Sequence, residues 1–280
     1  MKDIKRAGIV IKPHAKNIEQ VLKEAIVMLE SRGIESVLED VAAHKVNYPH
    51  GLPRESIPGL VDMLIVFGGD GTLLSIAHLA AKHAVPVMGI NLGRLGFLTE
   101  VPKEEMSITL EAILRGDNKV FSRRKLLEAT IGGNHYSCLN DVVINKGALA
   151  RMIRFSIFID GKQIACLRAD GLIISTPTGS TAYSLAAGGP IIYPNLPAIV
   201  ISPICPHTLS FRPMVISANS LVEVQLLASE EVYLTIDGQR GQEMKSCDRV
   251  QVKCSEHELT LISSPKRNFF DLLQEKLGWG

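Results

Sequence analysis

Residues 63–79 read MLIVFGGDGTLLSIAHL and join an apolar run to a helical pattern through a glycine-rich turn. The run 63–67 predicts a buried strand, because it is apolar on both faces. Glycines can adopt positive φ and let an anion approach the backbone N–H groups, while the following helix directs its positive end to the same place. The turn therefore predicts a phosphate site with Asp70 as a catalytic base. The predicted phosphate turn comprises Gly68, Gly69, Gly71 and Thr72.

A tight strand-to-helix connection explains the same turn. In that interpretation Asp70 only caps the helix. A lone Gly-Gly-Asp-Gly segment does not separate the two interpretations, so the rest of the chain decides between them.

The composition limits the class of protein. The chain has 280 residues, 46% of them hydrophobic, which favours two domains. Its 30 Lys and Arg residues against 29 Asp and Glu residues predict neither nucleic acid nor a membrane as a partner. The five cysteines form no Cys-x-x-Cys pair, which predicts free thiols in a reducing compartment. No segment reaches the ~18 apolar residues of a membrane span, so we expect a soluble, cytoplasmic protein.

Residues 1–118 alternate strand and helix patterns. The expected strands are 7–11, 35–38, 63–67 and 86–90, and the expected helices are 17–32, 72–83 and 102–114. Strands that are apolar on both faces and separated by helices predict an α/β domain with a parallel, Rossmann-like sheet. Ligands bind beyond the carboxyl ends of such strands, where Asp70 and Asn91 fall. The first strand lacks a following G-x-G-x-x-G, so no ordinary Rossmann cofactor site is expected.

Residues 119–265 change to short, often alternating strands. The expected strands are 127–131, 142–144, 155–159, 171–175, 221–226, 232–236 and 249–252. Turn signals such as Gly132-Gly133, Asp160-Gly161 and Asp237-Gly238 separate them. This spacing predicts a mostly-β sandwich domain. The tail 266–280 predicts a helix that packs back on the first domain, because its apolar side chains would otherwise be exposed.

Two segments place polar groups near strand ends. Residues 91–100 carry two glycines and Phe97, whose ring either covers a flat ligand or belongs to the core. Asn140 and Asp141 precede a strand, and an amide beside a carboxylate suits a base edge and ribose hydroxyls. Asn-Asp pairs are also common turn residues, so the pair alone decides nothing.

Two later segments add charge and hydroxyl groups. Arg168 and Asp170 flank one residue with opposite charges, which a surface ion pair alone would explain. Residues 175–184 carry a dense set of hydroxyls at the start of a helix. A capped helix needs one or two of them, whereas a neutral hydrogen-bonding surface for a nucleotide accounts for the whole cluster.

In this order, the segments resemble the bacterial NAD kinases. The matching segments are 68–72, 91–99, 140–141, 170–183 and 206–213. The Gly-Gly-Asp-Gly element is shared with diacylglycerol and sphingosine lipid kinases, while the run TPTGSTAY at 176–183 is far more specific to NAD kinases. The resemblance implies transfer of the γ-phosphoryl group of a nucleoside triphosphate to the 2′-hydroxyl of the adenosine ribose of NAD, which gives NADP.

The resemblance also implies site residues. Asp70 would be the general base, and the dinucleotide would lie along Arg151, Arg168 and Asp170, with its adenine within the turn 181–186 and its far end near Gln239. The substrate-binding residues that follow are Gly71, Phe97, Asn140, Asp141, Arg151, Arg168, Asp170, Thr181, Ala182, Tyr183, Ser184, Leu185, Ala186 and Gln239.

The resemblance implies a divalent cation, most simply Mg²⁺, which substrate phosphates would hold, so no metal-binding residues are assigned. The expected partners are NAD and ATP or another phosphoryl donor, within a homodimer or homotetramer. Two positions depart from the family's commonest pattern. Asp141 replaces a glutamate, which favours a water-mediated ribose contact, and Ser75 stands where some relatives carry a basic residue.

Two alternatives stay open at this point. A lipid kinase of the diacylglycerol kinase type would share Asp70, but it would need an apolar cavity and a membrane-facing surface. A non-catalytic dinucleotide sensor would keep the adenine turn at 181–183 and dispense with Asp70.

Overall fold

A computed structural model of the chain contains two compact units, Met1–Arg123 with Glu258–Gly280, and Arg124–His257. The structure describes residues 4–15, 17–93, 95–148, 151–208, 210–228 and 231–279. Arg94, in the predicted segment 91–100, lies outside the described residues. None of the helices in the described ranges is long and apolar enough to span a bilayer.

The first unit is an α/β fold with a parallel sheet, which confirms the predicted class. Its elements are β1 (Arg6–Ile11), α1 (Glu19–Glu30), β2 (Glu35–Glu39), α2 (Asp40–Val46), β3 (Gly51–Leu52), β4 (Met63–Gly68), α3 (Asp70–Lys82), β5 (Val87–Asn91), β6 (Val101–Pro102) and α4 (Met106–Leu114). The strands run in the order β3-β2-β1-β4-β5. Every residue of the central strand β4 is buried, as a sheet covered on both faces requires.

The helices of this unit bury one face each. In α1 the buried residues are Leu22, Ala25, Ile26 and Leu29, which follow the spacing of one helical face. Helix α3 begins at Asp70, two residues earlier than predicted, directly after β4. The carboxyl ends of β4 and β5 therefore place Asp70 and Asn91 at the same edge of the sheet, because Gly68 pairs with Asn91.

The second unit is an antiparallel β sandwich, as predicted. After α4, the chain forms β7 (Phe121–Ile131), β8 (Asn134–Cys138), β9 (Asp141–Lys146), β10 (Ile153–Ile159), β11 (Lys162–Ala169), β12 (Gly171–Ser175), α5 (Tyr183–Ala186), β13 (Ala198–Ile204), β14 (Met214–Ser217), β15 (Val222–Ala228), β16 (Val232–Ile236), β17 (Arg240–Met244) and β18 (Arg249–Ile262). One sheet has the order β14-β13-β12-β9-β16-β17, and the other includes β11-β10-β15-β18. Their inner faces share one apolar core.

The turn signals of the sandwich form as predicted. Asp160 and Asp237, each followed by glycine, adopt left-handed φ values of +51° and +52°. The sequence patterns missed β8, β11, β13, β14 and β17. Strands β11 and β14 lie at sheet edges, where β11 exposes five of its eight residues and β14 two of its four, so neither buries a full apolar face.

The last helix, α6 (Phe269–Leu277), begins at a capping box formed by Asn268 and Asp271. It belongs to the first unit, where Leu272 and Leu273 are buried. The units divide at 123/124 and 257/258, whereas the sequence pattern favoured 118/119 and 265/266. The difference arises because β7 and β18 each continue from one unit into the other.

Helix α1 offers a matched test of this packing. Leu22→Ala should lower the free energy of unfolding by about 2–4 kcal/mol, because it leaves a cavity under a fully buried side chain. Val27→Ala, at a position of the same helix that is 64% exposed, should change it by less than about 0.5 kcal/mol. Denaturant unfolding of both variants measures the difference, and equal losses would contradict the observed helix face.

Candidate functional site

The Asp70 carboxylate lies in a cradle of hydrogen-bond donors from a single loop. Its Oδ2 accepts the backbone N–H of Phe97 at 2.9 Å. Its Oδ1 accepts the N–H groups of Leu98 at 3.0 Å and Thr99 at 2.9 Å, and the Thr99 hydroxyl at 3.0 Å. Charge-assisted bonds of this kind are about twice as strong as neutral ones. The loop 97–99 therefore fixes the orientation of the carboxylate.

The capping interpretation of Asp70 is wrong in this structure. Gly69 is the N-cap residue of α3, no side chain caps the helix, and Asp70 is its first residue. The turn does not use the left-handed region that glycine allows, since the φ values of Gly68, Gly69 and Gly71 all lie outside it. A Cβ added at Gly69 or Gly71 would meet nothing within 4 Å. These two glycines therefore leave the backbone uncovered, which suits the close approach of an anion.

The loop that holds Asp70 leaves no room for a side chain at Gly96. A Cβ there would overlap Asp70 Oδ1. The neighbouring Phe97 ring is partly buried and lies 5.7 Å from Lys276 Nζ of α6, which also donates to the carbonyl of Leu95 at 2.6 Å. The Phe97 ring is therefore not a fully buried core side chain, and the Lys276 ammonium group already lies over one of its faces.

A second polar network ties the strand ends to α3. Glu39, only 2% exposed, accepts the N–H of Ile11 at 2.6 Å and pairs with Arg54 at 2.7 Å. The same guanidinium donates to Ser75 Oγ at 2.8 Å and to the carbonyl of Ile11 at 2.8 Å. The sequence does not reveal Arg54, although it shows a serine at position 75, where the family resemblance implies a basic side chain in some relatives. Arg54 brings a cation to that position from another segment.

In the second unit, Asn140 lies in the short connection between β8 and β9, and Asp141 is the first residue of β9. The three N–H groups of the Asn140 loop, residues 139–141, all donate to the carboxylate of Asp237, at 2.7 to 3.2 Å. The side chain of Asn140 is half-buried, whereas Asp141 is only 5% exposed. The sequence showed Asp237 only as a turn residue, so its contact with this loop was missed.

Asp141 is a buried carboxyl group next to a second one. Burial, and then the nearby charge of Asp237, raise the pKa of Asp141 from 3.8 to about 7. Burial also raises the pKa of Asp237, although its hydrogen bonds from the Asn140 loop oppose that effect. Within the described part of the chain, no N–H or O–H group donates to the Asp141 carboxylate.

The surface ion pair that would explain Arg168 and Asp170 without a ligand is absent among the described residues. Asp170 instead pairs with Lys146, at 3.4 Å, and its carbonyl accepts the Lys146 N–H at 3.0 Å. The side chains of Arg151, Arg168 and Gln239 are exposed. Lys146 is therefore a further charged group beside the predicted dinucleotide residues, and its position opposite Asp170 in paired strands was not visible in the sequence.

The hydroxyl-rich segment is mostly an internal framework rather than an open surface. Thr176 Oγ1 donates to the carbonyl of Leu139 at 2.6 Å, Ser180 Oγ donates to that of Pro177 at 2.6 Å, and Ser184 Oγ bonds Ser202 Oγ at 2.9 Å. The interpretation of these hydroxyls as a nucleotide-facing surface is therefore wrong for the buried ones. Within the turn 181–186, Tyr183 and Ala186 are exposed, Thr181, Ala182 and Leu185 are half-buried, and Ser184 is buried.

One buried hydroxyl in this segment remains without a protein partner. Thr178 is 7% exposed, and its Oγ1 has no hydrogen-bond partner among the described residues. A buried, unpaired hydroxyl typically costs about 1–3 kcal/mol. A bound ligand or water is the usual way in which such a group is satisfied.

Comparison with known proteins places both units in one family. Residues 7–118 match the family model of the ATP-NAD kinase N-terminal domain, and residues 139–264 match that of the ATP-NAD kinase C-terminal domain. The NAD kinase of Geobacter sulfurreducens is 46% identical over 282 residues and covers 99% of both chains. That of Solibacter usitatus is 42% identical over 285 residues, covering 100% of this chain and 99% of its own.

Two solved structures share the fold. Yeast NADH kinase complexed with NADH superposes with a TM-score of 0.89 at 27% identity, covering 100% of this chain and 89% of its own. An NAD kinase from Archaeoglobus fulgidus in complex with ATP has a TM-score of 0.79 at 26% identity, covering 98% and 100%.

The buried Asp141 predicts a stability that depends on pH. Its folded-state pKa is raised, so its contribution is fully present below the unfolded value of ~3.9 and is lost as the pH rises through about 7. The Asp141→Asn side chain cannot ionise. The free energy of unfolding of this variant, relative to that of the native chain, should therefore rise by roughly 2–4 kcal/mol from about pH 5 to about pH 8. Urea unfolding at both pH values measures this gain.

The matched control is Asp160→Asn, since Asp160 is an exposed aspartate of the same unit. Its stability relative to the native chain should not change over that pH range. A stability difference for Asp141→Asn that is the same at both pH values would contradict the assignment.

Proposed function

The chain belongs to the NAD kinase family of phosphotransferases, and from this premise we propose that it transfers the γ-phosphoryl group of ATP to the 2′-hydroxyl of the adenosine ribose of NAD, giving NADP. The observation that carries the proposal is the Asp70 carboxylate, held by one loop beside the uncovered glycines of the phosphate turn. The family match spans both units and favours this activity over the lipid kinase and the non-catalytic sensor.

Asp70 is the proposed general base. A ribose hydroxyl is a weak nucleophile at neutral pH, and phosphoryl transfer requires mainly positioning and compensation of charge. A carboxylate offers about four lone-pair sites. Among the described residues, Oδ1 accepts three hydrogen bonds and Oδ2 accepts one. Oδ2 is therefore the oxygen that keeps capacity for the proton of the attacking hydroxyl.

The second unit is the proposed dinucleotide-binding part. Asn140 and Asp141 would hold nucleoside hydroxyls from a loop whose backbone is fully hydrogen-bonded. The exposed Arg151 and Arg168 would face the diphosphate, with Asp170 beside them. The remaining proposed contacts are Phe97 and Gly71 from the first unit and Thr181, Ala182, Tyr183, Ser184, Leu185, Ala186 and Gln239 from the second. The buried side chain of Ser184 leaves only its backbone for such a contact.

The proposed phosphoryl donor is ATP, and the proposed cation is Mg²⁺. In the described ranges, no three or more His, Cys, Asp or Glu side chains are grouped so as to hold a metal ion. Mg²⁺ keeps several waters and commonly binds through substrate phosphates with one or two carboxylates, so the residues present fit a cation that arrives with the nucleotide. When bound, it would neutralise charge on the transferring phosphoryl group.

The assembly proposed is a homodimer or homotetramer in the cytoplasm. The second unit exposes Tyr193, Leu196 and Val215 by 43–50%, and contact with another copy would cover such side chains. All five cysteines are free thiols, which fits a reducing compartment.

Asp70→Asn should lower kcat by several orders of magnitude, with NAD affinity nearly unchanged, because an amide cannot accept the proton. The amide would also present N–H to the N–H groups of loop 97–99, so a second variant isolates the positioning. Gly96→Ala keeps the carboxylate but forces the loop away from it, and kcat should fall by about 100-fold or less.

Gly93→Ala is the matched control in the same loop, since a Cβ there meets nothing within 4 Å. It should retain most of kcat. Steady-state kinetics of all three variants test the assignment, and an Asp70→Asn enzyme that keeps more than about a tenth of native kcat would exclude Asp70 as the base.

Asn140→Ala and Asp170→Ala should weaken NAD binding more than ATP binding, by ~1–3 kcal/mol each, if they bond the dinucleotide. The control is Asn219→Ala, at an exposed turn of the same unit. Calorimetric titration of each variant with NAD and with ATP measures both affinities. Equal losses for the two nucleotides would return Asn140 and Asp170 to a structural role.

A further inference from the structure

Every main-chain polar group of the Asn140 loop has a partner. Its three N–H groups donate to the Asp237 carboxylate. The carbonyl of Leu139 accepts a hydrogen bond from Thr176 Oγ1, and that of Asn140 accepts one from the Thr176 N–H. The carbonyl of Asp141 accepts one from the Asp237 N–H. Asp237 therefore makes four of the six bonds that hold the loop, and Thr176 makes the other two.

The backbone of Asp237 makes this contact possible. Asp237 starts the turn between β16 and β17 with φ +52°, followed by Gly238 with φ +63°. Aspartate and asparagine tolerate this left-handed conformation better than most residues. The turn thus presents both the N–H and the carboxylate of one residue to the Asn140 loop.

The opposite side of the loop is held by close backbone packing. A Cβ at Gly179 would overlap the carbonyl oxygen of Asn140, so the segment 176–179 lies directly against the loop. Held between Thr176 and Asp237, the loop has little freedom to rotate. The directions of the Asn140 and Asp141 side chains therefore depend on these two contacts.

We propose that Asp237 is a positioning residue for dinucleotide binding, which fixes the Asn140 loop so that Asn140 and Asp141 face the nucleoside. This inference rests on the proposed function of those two residues. Asp237 acts through the loop, because all three N–H groups of the Asn140 loop donate to its carboxylate.

The charge of Asp237, after burial, also contributes to the raised pKa of Asp141. The charged and titratable groups around this carboxyl are Asp237, the buried thiol of Cys138 and, more remotely, Arg240, which favours the charged form of Asp237. Burial and the charge of Asp237 together keep Asp141 partly protonated near neutral pH. Removing the charge at 237 therefore lowers the pKa of Asp141, whereas a purely structural defect elsewhere would not.

The test is Asp237→Asn, which keeps the left-handed turn and one acceptor oxygen but opposes the Leu139 N–H with an amide N–H. The matched control is Asp160→Asn, since Asp160 is also the first residue of a hairpin turn, at φ +51°. Calorimetric titration with NAD from about pH 6 to pH 9 gives the affinity and its pH midpoint. ATP titration and steady-state kinetics complete the comparison.

The Asp237→Asn variant should bind NAD at least about tenfold more weakly at neutral pH, roughly the loss of one charge-assisted bond. Its KM for NAD should rise more than its kcat falls, and its ATP affinity should remain native. The pH midpoint of NAD binding should move to lower pH. Asp160→Asn should match the native protein in all four measurements.

Native NAD affinity in Asp237→Asn would overturn the proposal, as would weaker binding with an unmoved pH midpoint. If this variant fails to fold, Thr176→Val is the deciding variant, because it removes a contact of the Asn140 loop without changing any charge. Thr176→Val should weaken NAD binding and leave the pH midpoint of binding unchanged. Native NAD affinity in Thr176→Val would overturn the proposal. If Asn140→Ala loses affinity and Asp237→Asn does not, only the positioning role fails. If the native protein does not phosphorylate NAD, the proposed function fails.

Discussion

A carboxylate that accepts three consecutive backbone N–H groups organises each of the two candidate loops. Asp70 accepts those of residues 97–99, and Asp237 accepts those of residues 139–141. Residues 97–99 lie outside the strands, and residues 139 and 140 lie between β8 and β9, so their N–H groups need another acceptor. Unpaired buried N–H groups would be costly. One side chain replaces the ladder in each case. The placement of Phe97, Asn140 and Asp141 therefore depends on two aspartates.

The sequence predicted where Asp70 lies but not what it contacts. A buried strand followed by glycines is a local pattern, and it predicted Asp70 in a turn between that strand and a helix. Asp70 follows β4 as predicted, but it is already the first residue of α3. Its partners lie 27 to 29 residues further along the chain, and those of Asp237 lie 96 to 98 residues before it. Asp237 was visible only as half of an Asp-Gly turn signal. The conformation of the turn and the contact of its carboxylate are separate properties, and only the first is local.

For the hydroxyl-rich segment 175–184, the sequence predicted the kind of side chain but not the contacts that these side chains make. Its composition predicted a polar environment, which is present, but not the direction in which the hydroxyls point. Between β12 and α5 the backbone leaves the regular ladder, so its own N–H and C=O groups need side-chain partners. Thr176, Ser180 and Thr181 serve that need, by accepting from the Gly179 N–H and by donating to the carbonyls of Pro177 and Thr178, respectively. The fold followed similar limits, because strands with two buried faces were predictable and exposed edge strands such as β11 were not.

Asp70 and Asp141 carry the same side chain in opposite environments. Four hydrogen bonds reach Asp70, whereas burial without any donor from the described residues raises the pKa of Asp141 to about 7. A carboxyl that is partly protonated can both donate to and accept from a hydroxyl, which a fixed carboxylate cannot. The Asp141 N–H donates to Asp237 Oδ1 at 3.2 Å, and the charge of Asp237 adds to the effect of burial on the Asp141 carboxyl. The backbone bond that holds the loop therefore also brings the second acid near Asp141.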